Sequence, residues 1–88
     1  MLKSDVIIMN KLGIHARPAS KLVKITSLGK SEVFLLHDNQ RVNAKSILGV
    51  MLLQAVQGSR VTIEVNGIDE EEVLRQIIEL IERKFDEE

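Results

Sequence analysis

Eighty-eight residues suffice for one small domain and are too few for two, so a single domain over 1–88 is expected, and an apolar content of 44% argues for a folded globule. Twelve basic and 13 acidic residues leave a net charge of −1, and the only aromatics are two Phe; this speaks against duplex DNA, an anionic membrane or stacking on single-stranded nucleic acid. With no cysteine and no apolar run near the about 18–20 residues that cross a bilayer, a cytoplasmic protein without membrane insertion is expected.

Lys3 to Met9 contains Val6-Ile7-Ile8-Met9, a short run rich in β-branched residues that reads as a strand. It leads into Asn10-Lys11-Leu12-Gly13-Ile14-His15-Ala16-Arg17-Pro18-Ala19. Pro18 suits a helix's first turn, and Ala16, Ala19, Leu22 and Val23 have helical spacing. A helix from Ala16 to Leu28 follows, with Gly29 expected as a left-handed C-cap. Ser31 to Leu36 reads as a strand, His37-Asp38-Asn39-Gln40 as a turn and Arg41-Val42-Asn43 as its return strand. Ser46 is a favoured N-cap for a short apolar helix that should end near Gly58; Gly49 inside it either weakens the helix, by about 1 kcal/mol against alanine, or allows close packing. Arg60 to Asn66 alternates, with Val61, Ile63 and Val65 on one face, as in a strand with one face on the core and one in water. Asp69 is placed to cap the last helix, with Glu72 completing a capping-box-like pair. Val73, Leu74, Ile77, Ile78, Ile81 and Phe85 form its apolar stripe, and Asp86-Glu87-Glu88 reads as a frayed acidic end. The order strand, helix, strand, strand, helix, strand, helix predicts an α+β fold, one antiparallel sheet with helices gathered on one face.

The chemistry concentrates at His15. An N-cap position would put it beside the unsatisfied N–H groups of Ala16 and Arg17, where a helix N-terminus favours an anion. Arg17 adds a guanidinium able to hold phosphate through two parallel hydrogen bonds. An imidazole, backbone donors and a guanidinium within three residues suggest phosphate carried on the histidine, with a ring nitrogen kept available as nucleophile. His37, in a turn without a motif, reads as solvated, and two lone histidines make no metal site; no cofactor is expected.

Gly13-Ile14-His15-Ala16-Arg17-Pro18-Ala19 resembles the active-site signature of the histidine-containing phosphocarrier HPr family of the bacterial phosphoenolpyruvate-dependent phosphotransferase system. Val42-Asn43-Ala44-Lys45-Ser46-Ile47-Leu48-Gly49-Val50-Met51 is similar to that family's regulatory serine signature. The resemblance implies an open-faced β-sandwich, a four-stranded antiparallel sheet covered on one face by three helices. It implies a phosphoryl carrier, not a stand-alone catalyst, in which His15 accepts the group at Nδ1 from phosphorylated enzyme I and passes it to enzyme IIA components, with Arg17 holding the phosphate. Ser46 matches the position that an HPr kinase/phosphorylase modifies in many members. Ile47, Leu48 and Met51 cannot all be buried in so short an apolar helix, and as in family members would dock the partners. Leu12 stands where many members carry Thr or Ser, and Asn-Lys-Leu-Gly is similar to the nitrogen-related branch and to some proteobacterial HPr proteins. Sugar and nitrogen branches therefore both stay open, beside a regulatory adaptor working through Ser46. A relay meeting two partners through one face is best served as a monomer.

Overall fold

The computed structural model describes residues 1–87. Its elements are β1 (Leu2–Ile7), α1 (Ala16–Leu28), β2 (Glu32–His37), β3 (Gln40–Asn43), α2 (Ile47–Leu52), β4 (Arg60–Asn66) and α3 (Glu70–Glu82), followed by a short turn over Lys84–Asp86. The four strands form one antiparallel sheet in the order β1-β4-β2-β3. The α+β reading, four strands with three helices, therefore stands.

β4 lies inside the sheet, paired with β1 on one side and β2 on the other. Val61, Ile63 and Val65 face Val6, Ser4 and Leu2 of β1, and Val65 and Ile63 face Val33 and Leu35 of β2. The side chains of Val33, Leu35, Val61, Ile63 and Val65 form one buried cluster with Ala19 and Leu22 of α1, Val50 of α2, and Val73, Ile77, Leu80 and Ile81 of α3. At about 25 cal/mol per Å2 of apolar surface removed from water, this cluster is the main stabilising term.

The other sheet face is less wet than alternation suggests. Glu64 is only 7% exposed, held between Lys3 Nζ at 3.4 Å and Arg41 Nε at 3.3 Å. The Arg41 guanidinium also lies 3.8 Å above the Phe34 ring. Two long basic side chains thus cover a residue that the period of two assigns to solvent.

Several local expectations are corrected. β1 ends at Ile7, although Ile8 continues its course by donating N–H to Ser59 O (2.9 Å) and accepting from Gly58 N (2.7 Å). Gly29 has φ −82° and ψ 166°, extended and not left-handed; a Cβ there would meet Val73 Cγ2 at 2.7 Å, so clearance for α3 is what it supplies. α2 stops at Leu52, well short of Gly58, where Gln54 turns left-handed with φ 55°. Gly49 does permit close packing, since a Cβ would approach Asn43 O to 3.2 Å. Asp69 occupies the N-cap of α3 without a side-chain capping bond. Its carboxylate instead accepts from Ser31 Oγ and from Lys30 N–H (2.8 Å). The reach back from the first turn comes from Glu70, which accepts from Gly67 N–H at 3.1 Å, while Glu72 turns to Arg75 and Gln76.

Phe85 is fully buried, but not as the next step of the α3 stripe. The chain leaves α3 and turns through Lys84, Phe85 and Asp86 with φ of 57°, 56° and 61°. Three consecutive non-glycine residues in the left-handed region cost about 1–2 kcal/mol each. Burial of the Phe85 ring offsets that cost, and its carbonyl accepts from Lys21 Nζ at 2.9 Å. Far from fraying, residues 86 and 87 are drawn back onto α1; Glu88 lies outside the described residues.

Candidate functional site

The loop between β1 and α1 is held from three sides. Gly13 has φ +68° and lies against the Ala55–Val56 backbone, and Ile14 N–H donates to Ala55 O at 2.9 Å. Asn10, fully buried, donates from Nδ2 to Gly13 O at 2.7 Å. The loop delivers His15 to the N-cap of α1, where its carbonyl accepts from Ala19 N–H at 3.0 Å. The N–H groups of Ala16 and Arg17 precede the first helical hydrogen bond, and Pro18 has none to offer. Next to the ring are thus the two donors that the sequence assigned to an anion.

The His15 side chain is 37% exposed, enough for a partner to reach it. Its Nε2 lies 2.8 Å from Glu87 Oε2, and Glu87 Oε1 accepts from Asn10 Nδ2 at 2.9 Å. Burial acts to raise the Glu87 carboxyl. The hydrogen bonds from Asn10 and His15, with the nearby charges of His15 and Arg17, outweigh it and hold the group below the usual glutamate value. An ionised carboxylate only accepts hydrogen bonds, so Nε2 is the donor in this contact, and in the neutral ring that leaves the lone pair on Nδ1.

Arg17 is exposed and lines two surface depressions, one of which includes the His15 ring. One is formed with His15, Ala16, Ser20, Lys21 and Lys24, the other with Lys11, Leu12, Asp86 and Glu87. Sequence reasoning did not single out Lys21 and Lys24, although Arg17, Lys21 and Lys24 at helical spacing on α1 were a legible signal. Asn10 opens the stretch that carries His15 but gave no sign of its role there, and Glu87, 72 positions from His15, carried no local signal.

Ser46 is set apart from His15. Its Oγ accepts from Gly49 N–H at 3.0 Å and its carbonyl from Val50 N–H at 3.0 Å, as an N-cap should. The loop before it is tied to the far end of α1, where Thr26 Oγ1 donates to Ala44 O at 2.7 Å. The rise from Ala16 to Thr26 along α1 is about 15 Å. Ile47, Leu48 and Met51 are all exposed, Leu48 at 67%, while Val50 alone of α2 is buried. The chain after α2 returns to the histidine loop at Ala55, which accepts from Ile14 N–H, while the chain before Ser46 is tied to Thr26. Among the described residues no helix is long and apolar enough to cross a membrane.

Comparison with known proteins bears on this geometry directly. Residues 2–83 match the family described as PTS HPr component phosphorylation site. The chain belongs to the HPr family. The phosphocarrier protein HPr of Neisseria meningitidis is 44% identical over 87 residues, which span 99% of this chain and 98% of that protein. The phosphocarrier protein NPr of Proteus mirabilis is 42% identical over 83 residues, 93% of this chain and 92% of that one. A crystal structure of HPr from Thermoanaerobacter tengcongensis superposes with a TM-score of 0.95 at 44% identity, covering 100% of this chain and 99% of that one. A dimer of HPr from the same organism aligns with a TM-score of 0.79 at 44% identity over 99% of this chain and all of that one. HPr proteins are phosphoryl carriers of the phosphotransferase system, not stand-alone enzymes, and this chain is a carrier of that kind.

Proposed function

We propose that His15 is the residue that carries the phosphoryl group, taking it at Nδ1 from phosphorylated enzyme I and passing it to an enzyme IIA component of the sugar branch. The observation that carries this reading is the His15 ring at the N-cap of α1, with Nε2 engaged by Glu87 and no hydrogen-bond partner on Nδ1 among the described residues. In acceptance, the Nδ1 lone pair attacks phosphorus in line as the donor's N–P bond breaks; in delivery the electron pair returns to Nδ1. The N–H groups of Ala16 and Arg17 and the Arg17 guanidinium hold the phosphate oxygens. Ile47, Leu48 and Met51 give an apolar footing for both partners. Phosphate added to Ser46 by an HPr kinase/phosphorylase would sit at the edge of that footing and weaken docking of an acidic partner, without reaching His15 itself. The working form is a cytoplasmic monomer, as exchange between two partners over one face requires; the dimeric relative makes sedimentation of this chain the relevant check.

Phosphoryl transfer from phosphoenolpyruvate through a bacterial enzyme I tests the reading, with wild type and His15→Ala side by side. Acid-labile, base-stable label on the wild type alone is expected. An unlabelled wild type with its cognate enzyme I would sink the carrier role of His15 and leave the Ser46-gated adaptor. Leu12 before Gly13 and the NPr relative favour the nitrogen branch as a second reading; offering the labelled chain to acceptors of each branch separates the two.

A further inference from the structure

We propose that Glu87, held in place by Asn10, is a positioning residue for His15: its carboxylate keeps the ring proton on Nε2 and stabilises the ring cation of the phosphorylated state. The inference rests on His15 being the phosphoryl acceptor.

Glu87 lies outside the His15 loop, and its contact with the ring spans 72 positions of sequence. The tail that brings Glu87 there is anchored independently at each step. Phe85 is buried without exposure, Lys21 Nζ binds its carbonyl, Asp86 accepts from Arg83 Nε at 2.9 Å, and Glu87 N–H donates to Lys84 O at 2.9 Å. Each carboxylate oxygen of Glu87 then has one donor, Asn10 Nδ2 on Oε1 and His15 Nε2 on Oε2. Asn10 is itself fully buried and tied to Gly13 O, so the pair joins the ring to the loop that carries it. Such a fixed carboxylate–imidazole contact sets tautomer and orientation together.

The proton balance gives the contact its role. Neutral His15 carries one proton, on Nε2. When Nδ1 forms its bond to phosphorus the Nε2 proton stays, so the ring becomes a cation, and the Glu87 carboxylate faces that new charge. On delivery the N–P electron pair returns to Nδ1 and the ring is neutral again. No proton has to leave or arrive in either step, because the same proton stays on Nε2, hydrogen-bonded to the Glu87 carboxylate. The hydrogen bonds from Asn10 and His15 favour the ionised carboxylate most, and the nearby charge of Arg17 adds a smaller pull in the same direction.

Nitrogen-edited NMR of the unphosphorylated protein reads the first half without any transfer partner. A single neutral tautomer with an exchange-protected Nε2 proton is expected in the wild type, and loss of that protection in Glu87→Ala with the backbone amide spectrum otherwise unchanged. Phosphoryl acceptance should fall roughly tenfold in Glu87→Ala, as for one lost charge-assisted hydrogen bond. Glu87→Gln keeps one acceptor oxygen and no charge, and should lie between. A wild-type ring proton on Nδ1, or unchanged protection and rate in Glu87→Ala, overturns the role of Glu87 while labelling of the wild type still supports His15 as carrier. An unlabelled wild type would remove the carrier reading and this role with it.

Discussion

Replacing Gly13 by alanine separates two reasons for a glycine that sequence alone cannot tell apart. The residue has φ +68°, and a non-glycine residue there pays about 1–2 kcal/mol. The added Cβ would also lie 2.4 Å from Ala55 O and 2.8 Å from Val56 Cα. Both are backbone atoms, so no side-chain rotation relieves the overlap. Moving the Ala55 carbonyl away stretches the bond it accepts from Ile14 N–H, and overpacking of this kind costs about 1–3 kcal/mol. Gly58 is the control. It too has positive φ, at +91°, but a Cβ there meets nothing within 4 Å, so Gly58→Ala pays for the backbone alone. Urea unfolding of the two variants, with unchanged m-values, should place Gly13→Ala below Gly58→Ala by about 1–3 kcal/mol. Equal losses would show that the histidine loop is not pinned against residues 55–56, and the account of how His15 is positioned would fall with it.

Arg17→Lys keeps the charge but loses the planar fork, and should slow phosphoryl acceptance by His15 without lowering stability; a full rate in the lysine variant would remove the bidentate role. Ser46→Ala deletes the acceptor of Gly49 N–H and should cost about 1 kcal/mol in thermal or urea unfolding, while an unchanged midpoint would mean the cap contributes nothing. The Asp69 carboxyl is held below its ordinary 3.8 chiefly by the Ser31 hydroxyl, then by Lys30 N–H. Because the folded value is depressed, its stabilisation is complete above about pH 4 and is lost as pH falls through the lowered folded value. Ser31→Ala should move the Asp69 titration, followed by carboxyl NMR, back toward 3.8 and flatten the acid limb of the stability curve; a titration that stays put would clear the hydroxyl of that role.

The sequence by itself determined the elements whose cause is local. The period of two in Val61, Ile63 and Val65 made β4, the helical spacing of Ala16, Ala19 and Leu22 made α1 to the residue, and Asp38-Asn39, both left-handed, made the two-residue hairpin turn. Ser46 caps α2 because a cap and the N–H it serves are three residues apart. His15 and Arg17 were legible for the same reason, since a helix start gathers its donors within one turn. Tertiary structure alone decided that Gly29 clears Val73, that Asp69 serves Ser31 instead of its own helix, and that Glu64 is covered on the outer sheet face. It also decided that Phe85 folds back and brings Glu87 to His15 across 72 positions. Backbone periodicity and capping act over a few residues and leave their mark in composition. A contact made by packing two distant segments depends on the turn between them and on what the core leaves open, and no window along the chain contains both.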